Sequence, residues 1–553
     1  MRVRGVLVLA VVLLALPAFS GCLSFLDDDK EPSGPQPADL GYDPSLIRVT
    51  SVAKHTATVT AMDGTSLAVV AYEPQTSDLT PEGAAPTWGT VLFLHGWGTL
   101  KETYEGVGGA SGAPIPANEM VPYTTNYLER FAQAGLVAVA YDARGFGQSG
   151  GKAEVAGPKE AQDLEDVRAW AESTFKSNGL FGVVGLSYGG GQAYQAFVDN
   201  PRITTVVPMY GWTDLYQGLA PGNVPKAEWV ALLLGIGVVG SKTNLDPMIL
   251  EWLQKAATRT DLDQVKAEMM ARSTEGRLAG ITKPLFTCQG MQETLFPQID
   301  HAWQQATTGF TRAQVFTGGH GADDPECWTR ALDWFRFFLG GVDTGVGDWP
   351  ALSTVDASGA RAVDYAEFPR PVEQTYYLDA PNLERGSPST SQFTVSQRLL
   401  ANPLQEPAGI WDQLGQPNNA IPEPLRQDPT AVFFETAPIT GSEVVFGAPT
   451  LRLNLAQPDG PTPFQVTAQL QQVLANGNSR ILTRAAYAAL DADDVTNGTV
   501  TLQFHWVKAD LSPGDKLVLK VSGNDPSWYL QLPSNYDVTF TGASELHVPY
   551  FEG

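Results

Sequence analysis

Up to Gly345 the chain alternates short apolar runs with stretches of helical period, and beyond it the helical period nearly disappears. Residues 49–72 alternate apolar and polar positions about an Asp63-Gly64 turn and read as a β-hairpin. Residues 90–94 and 136–141 are short, apolar strands of the kind buried on both faces of a parallel sheet, and residues 123–134 between them predict a helix. A second helix is predicted over 158–173, with apolar positions at Leu164, Val167 and Trp170, and strands follow at 180–184 and 204–209. Residues 214–280 carry helical patterns only. Strands return at 284–288 and 313–316, and a helix closes the series at 325–339. Such alternation predicts a mostly parallel, doubly wound α/β sheet. The later runs at 375–378, 450–455, 464–473, 499–507 and 516–521 have the even spacing of an all-β sandwich or jelly roll. The Pro- and Asn-rich stretch 401–427 reads as an irregular surface loop.

Gly185-Leu186-Ser187-Tyr188-Gly189 falls between the strand at 180–184 and a helix-like stretch at 190–199. That is the strand, sharp turn and helix setting in which Gly-x-Ser-x-Gly forms a nucleophile elbow. A serine hydroxyl is a poor nucleophile at neutral pH and needs a base, itself oriented by a carboxylate. In α/β-hydrolases these follow the serine in the order acid, then histidine. Of six histidines, His55 and His95 precede Ser187, His505 and His547 belong to the β domain, and His301 falls in an expected helix. His320, flanked by Gly318, Gly319 and Gly321 after the last strand, is the expected base.

The expected acid is Glu293, in the loop that follows the strand ending at Cys288, with Asp214 as the alternative and Asp300 and Asp323 as weaker candidates. Two donors are needed for the developing oxyanion. The backbone N–H groups of Tyr188 and of Trp97, in His95-Gly96-Trp97-Gly98, are assigned to it, and His95 is read as a structural residue beneath that loop. The apolar run 231–240 reads either as a core helix or as part of a helical cap, about 214–280, lining an apolar acyl pocket.

At 553 residues the chain exceeds a single ordinary core, and its division is read as 47–345 for the α/β domain and 346–553 for the β domain. A formal charge of -25 argues against nucleic acid or an anionic lipid surface as a partner. Arg2 and Arg4 ahead of an apolar stretch at 5–18 form a secretory signal, and Phe19-Ser20-Gly21-Cys22 resembles a lipobox. Residues 1–21 are therefore expected to be removed, Cys22 to carry lipid, and the acidic, Pro- and Gly-containing stretch 22–46 to act as a tether. A plain secretory signal is the alternative. Outside the cytoplasm Cys288 and Cys327 form a disulfide or remain two buried thiols, and the spacing leaves both open. Asn497-Gly498-Thr499 is a glycosylation sequon of the kind that arises by chance. No metal-ligand cluster or phosphate-binding loop is visible, so no cofactor or metal is expected.

Tyr141-Asp142-Ala143-Arg144-Gly145-Phe146-Gly147-Gln148-Ser149-Gly150-Gly151 resembles the Asp-x-Arg-Gly-x-Gly-x-Ser-x-Gly segment of the Xaa-Pro dipeptidyl-peptidase and cocaine-esterase family. Gly185 to Gly189, the acid loop 290–296, the Gly319-His320 pair and the stretches 433–438 and 445–449 are similar too. The resemblance implies an α/β-hydrolase with a helical cap and a non-catalytic jelly roll, hydrolysing esters or amides through an acyl-enzyme. Two features depart from the family: Glu293 stands where Asp is usual, and the loop at 95–98 has no tyrosine to serve as an oxyanion donor. The expected substrate is a small ester or amide or a short peptide. A dipeptidyl-peptidase and a catalytically inactive surface binding protein are the alternatives. An Asp-dependent dehalogenase is disfavoured by the serine at the elbow.

Overall fold

The computed structural model describes residues 34–106, 125–300, 303, 309–320, 325–355, 362–398, 430–457, 460–525 and 528–551. The expectations for residues 1–21, Cys22, His301, Asp323 and the stretch 401–427 lie outside them, as do residues 22–33 of the proposed tether.

A hairpin of β1 (Ser51–Thr60) and β2 (Ser66–Gln75) opens the first sheet. β3 (Trp88–Leu94), β4 (Leu136–Tyr141), β5 (Ser177–Leu186), β6 (Ile203–Met209), β7 (Leu285–Gly290) and β8 (Thr311–Phe316) continue it, in the spatial order β1-β2-β4-β3-β5-β6-β7-β8. From β4 to β8 every pairing is parallel. β3, β4 and β7 are buried along their whole length, which explains the uninterrupted apolar or small residues of β3 and β4. The connecting helices are α1 (Tyr127–Gln133), α2 (Pro158–Thr174) and α3 (Tyr188–Asp199). α4 (Leu215–Leu219), α5 (Ala227–Gly240), α6 (Pro247–Thr258) and α7 (Leu262–Met270) interrupt the rhythm, and α8 (Pro325–Phe338) follows β8.

β9 (Leu352–Val355) pairs in parallel with β8 and β10 (Ala362–Tyr365) pairs with β9, so the sheet runs past residue 345. Short alternating runs look alike in either sheet, and the neighbour chosen by β9 is a long-range matter. The rest is an antiparallel β-rich domain whose longest strands, Phe464–Val473 and Ser479–Ala489, pair with one another. The expected single strand at 499–507 is two, Thr499–Gln503 and Val507–Leu511, in different positions of the sheet. The second half of Ser479–Ala489, Arg-Ala-Ala-Tyr-Ala-Ala, lacks β-branched residues and carries little strand signal, and burial against its neighbours overrides that propensity. The two domains share apolar packing: Ile299, Trp303 and Val315 of the first cluster with Phe446 and Trp506 of the second.

The Asp142 to Gly151 segment is a structural knot beside β4. Asp142 is fully buried and accepts from the Lys101 backbone N–H (3.0 Å), the Lys101 ammonium (2.9 Å) and the Gln148 N–H (2.9 Å). Arg144 donates two bonds to Asp163 on α2, at 2.7 and 2.6 Å. Gly147 has φ +54, and a Cβ there would lie 2.3 Å from the Asp142 carboxylate. Asp142→Ala leaves a buried lysine with only Glu102 as counter-ion, and it is expected to lower stability by about 3 kcal/mol in denaturant unfolding.

Candidate active site

β5 delivers the chain into a turn too crowded for side chains. A Cβ on Gly185 would lie 2.1 Å from the Gly189 carbonyl oxygen, and one on Gly189 would lie 2.0 Å from that of Leu94. Ser187 between them has φ 54 and ψ -108, a conformation costing on the order of 1–3 kcal/mol in a residue with a side chain. The turn is closed by bonds from the Ser187 N–H to the Met209 carbonyl (2.8 Å) and from the Gly191 N–H to that of Ser187 (2.9 Å).

His320 Nε2 lies 2.8 Å from Ser187 Oγ, and its Nδ1 lies 2.7 Å from Glu293 Oε2. A carboxylate only accepts, so Nδ1 carries the proton and Nε2 is left to accept from the serine hydroxyl. The other carboxylate oxygen of Glu293 accepts from the N–H groups of Leu295 (2.6 Å) and Phe296 (3.0 Å). Burial alone would raise the Glu293 carboxyl, but the imidazole of His320 and these two amides outweigh it and hold the group below its ordinary value. The imidazole is packed edge-on against Trp229, Tyr210 and Phe296, with ring centres 5.2, 5.7 and 5.8 Å away.

The loops carrying the acid and the histidine are tied to each other. Gln292 accepts from the Gly318 N–H at 2.6 Å and its own N–H returns a bond to the Gly318 carbonyl at 2.9 Å. Cys288 within β7 and Cys327 in the first turn of α8 are joined by a disulfide, so of the two states the spacing left open the bridged one is found.

The structure separates the other candidates from His320. Asp214 caps α4, its carboxylate accepting from the Gln217 N–H at 3.0 Å, and it does not touch the histidine. Asp300 is buried but is not a partner of either imidazole nitrogen. Asp214→Ala is expected to cost about 1 kcal/mol of stability as a lost cap and to change turnover by no more than a few-fold, measured on the same preparation. His95 is structural as read: its Nδ1 donates to the Gly96 carbonyl (2.8 Å) and its Nε2 accepts from the Ala143 N–H (2.9 Å). That anchors the 95–98 loop to the Asp142 segment, and burial keeps the ring uncharged. The loop abuts the elbow, since a Cβ on Gly96 would lie 3.9 Å from that of Ser187. No hydrogen bond from the Trp97 or Tyr188 amide is seen among the described residues.

Two residues of the site had no signal in the sequence. Lys226, fully buried at the start of α5, donates to the carbonyls of Thr294 (2.7 Å) and Leu295 (3.1 Å). Burial pushes its ammonium down to about 7, with Glu293 pulling the other way. Trp229, one turn later, donates its indole N–H to Thr294 Oγ1 at 3.2 Å. A lysine with no motif around it, 67 positions from the acid it braces, is visible only once the chain has folded.

An apolar cavity of about 380 Å³ opens at Ser187 beneath α4 to α7. Most of α5 is only half-buried despite its apolar sequence, and Ala227, Val230, Ala231, Leu233 and Leu234 on it line the cavity. The run 231–240 is therefore cap and not core.

Residues 63–320 match the model of the X-Pro dipeptidyl-peptidase (S15 family), and residues 344–547 match that of the X-Pro dipeptidyl-peptidase C-terminal non-catalytic domain. The chain belongs to the X-Pro dipeptidyl-peptidase (S15) family. Members of this family are serine hydrolases, and the fold agrees. A CocE/NonD family hydrolase from Staphylococcus aureus superposes with a TM-score of 0.66 at 15% identity, covering 93% of this chain and 100% of that one. An α-amino acid ester hydrolase gives 0.66 at 14% identity over 95% and 100%. An aminopeptidase from a marine sediment Thaumarchaeota archaeon gives 0.65 at 14% identity over 95% and 99%. A curated relative from Escherichia coli, an uncharacterized 31.7 kDa protein in the traX-finO intergenic region, is 27% identical over 118 residues. That stretch is 21% of this chain, which thus spans 41% of the relative's length.

Proposed function

We propose that this S15-family protein hydrolyses carboxylic esters or amides through a Ser187 acyl-enzyme. The observation that carries the reading is the hydrogen-bonded series from Ser187 Oγ through His320 to Glu293 at 2.8 and 2.7 Å, ending at an apolar cavity. In the first step Ser187 Oγ attacks the substrate carbonyl while His320 Nε2 takes its proton, and the imidazolium is stabilised by Glu293. The oxyanion is held by the N–H groups of Tyr188 and Trp97. His320 then returns the proton to the leaving group, and a water molecule, deprotonated in the same way, releases the acid and restores the serine. Labelling by a fluorophosphonate at Ser187, together with turnover of p-nitrophenyl acetate, tests this. Failure of both would favour the binding-protein alternative. Turnover of a Gly-Pro anilide with no ester hydrolysis would favour a dipeptidyl-peptidase.

The location proposed is the outside of the cell, on a lipid anchor at Cys22. The Arg2-Arg4 start, the apolar stretch 5–18 and the Phe19-Ser20-Gly21-Cys22 sequence support it, and the Cys288–Cys327 disulfide suits an oxidising compartment. No described helix is long and apolar enough to cross a membrane. Mass spectrometry of the mature N-terminus tests the anchor: a lipidated Cys22, lost in Cys22→Ser, is expected, and an unmodified chain cut elsewhere overturns it.

A further inference from the structure

We infer that the substrate is an ester of an uncharged acid with a long or bulky apolar acyl group, and that an ammonium on the acyl side is rejected. This rests on the hydrolase reading of Ser187 and goes beyond it by naming the acid. The cavity at Ser187 is walled by Trp97 and Trp212 from the sheet side, by α4 to α7 from the cap, and by Leu530 from the β domain. Among the described residues its lining contains no Asp, Glu, Lys, Arg or His. The two tyrosines there stay neutral: burial raises Tyr188 well above its ordinary value and Tyr216 to about 12. The Tyr216 hydroxyl is already engaged, donating to Asn223 at 2.9 Å. The buried Lys226 is turned to the Thr294 and Leu295 carbonyls, and Arg259 to those of Asn223 and Leu530.

A free amine therefore meets no carboxylate among the described residues of the lining, and it must shed water without compensation. An alkyl or aryl group loses nothing and gains burial. The walls are also held in place, which a selective pocket requires. The Trp97 indole N–H donates to the Leu233 carbonyl (2.8 Å), fixing α5 across the serine. The β domain is laced to the cap by bonds from the Ala227 N–H to the Trp528 carbonyl (2.9 Å) and from the Leu530 N–H to that of Pro225 (2.8 Å). Arg259 adds a bond to the Leu530 carbonyl at 2.9 Å. The β domain thus contributes part of the acyl wall and positions the cap that supplies the rest.

The test is kcat/KM for p-nitrophenyl esters from acetyl to decanoyl on the intact protein, with phenylalanine and 3-phenylpropionic acid p-nitrophenyl esters as a pair differing only in the amine. A methylene moved from water to an apolar wall is worth about 3- to 4-fold. From acetyl to octanoyl a rise on the order of 10²-fold or more is expected, and the amine-free ester should exceed the phenylalanine ester on the order of 10²-fold. Ala256→Phe, on the half-buried part of the α6 wall, should lower the octanoyl-to-acetyl ratio by about tenfold. Leu253→Asp should narrow the gap between the paired esters. A flat chain-length series, or preference for the phenylalanine ester, overturns the inference. If Ser187 is nevertheless labelled by fluorophosphonate and acetyl ester is turned over, the hydrolase reading survives that result. If neither labelling nor turnover occurs, both fall.

Discussion

Ser187→Ala is expected to lower kcat/KM for any ester substrate by about 10⁵-fold or more, with the protein still folded. The size follows from the loss of the covalent route itself: what remains is binding and oxyanion stabilisation acting on a water molecule that nothing holds in line. Ser187→Gly is equally inactive but separates a second effect. The residue at 187 is held at φ 54, where a Cβ is strained and its absence is not. Ser187→Gly is therefore expected to be more stable than Ser187→Ala by about 1–2 kcal/mol in denaturant unfolding. If the two variants unfold together, the elbow stores no strain in solution. Residual activity within a hundredfold of the parent would exclude Ser187 as nucleophile.

Glu293→Gln is expected to cost about 10⁴-fold in kcat with little change in substrate binding. The amide side chain can donate as well as accept, so it no longer requires His320 to keep its proton on Nδ1, and Nε2 is no longer the obligatory acceptor. Glu293→Asp keeps the charge but shortens the reach by one methylene, so the carboxylate cannot span both the imidazole and the Leu295 and Phe296 amides. A loss of about 10- to 100-fold is expected. The same group shapes stability with pH. Its folded-state value is lowered from 4.5, so its contribution is complete above that ordinary value and is lost as pH falls through the lower folded one. Acid unfolding of the parent against Glu293→Gln measures this, the variant losing less stability than the parent on the acid side. Equal slopes for the two proteins would show that the carboxyl is not perturbed by folding.

The architecture of the first domain was legible because its strands are buried on both faces. A strand such as Leu136–Tyr141 has no polar face to disguise it, and glycines crowd the turn after β5 for a reason any backbone of that shape imposes. The order of Ser187, Glu293 and His320 was legible for a similar reason: parallel strands put the loops at their carboxyl ends on one rim of the sheet. The β domain was less so. A strand such as Ser479–Ala489, rich in alanine, becomes a strand only by burial against Phe464–Val473. The edge strands after Gly345 join whichever sheet lies closer in space.

The sequence by itself determined the elbow, the chain order of Ser187, Glu293 and His320, and the presence of two domains, because these depend on local sterics and on periodicity. Only the tertiary structure placed Glu293 rather than Asp214 beside His320, since both follow a strand and nothing local says which carboxylate comes within 2.7 Å of an imidazole and which caps a helix. It also decided that the apolar run of α5 is the roof of a cavity, that Lys226 braces the acid loop, and that Leu530 of the second domain walls the site. Each of these is a contact between residues far apart in the chain, and no local pattern encodes a contact whose partner is chosen by packing.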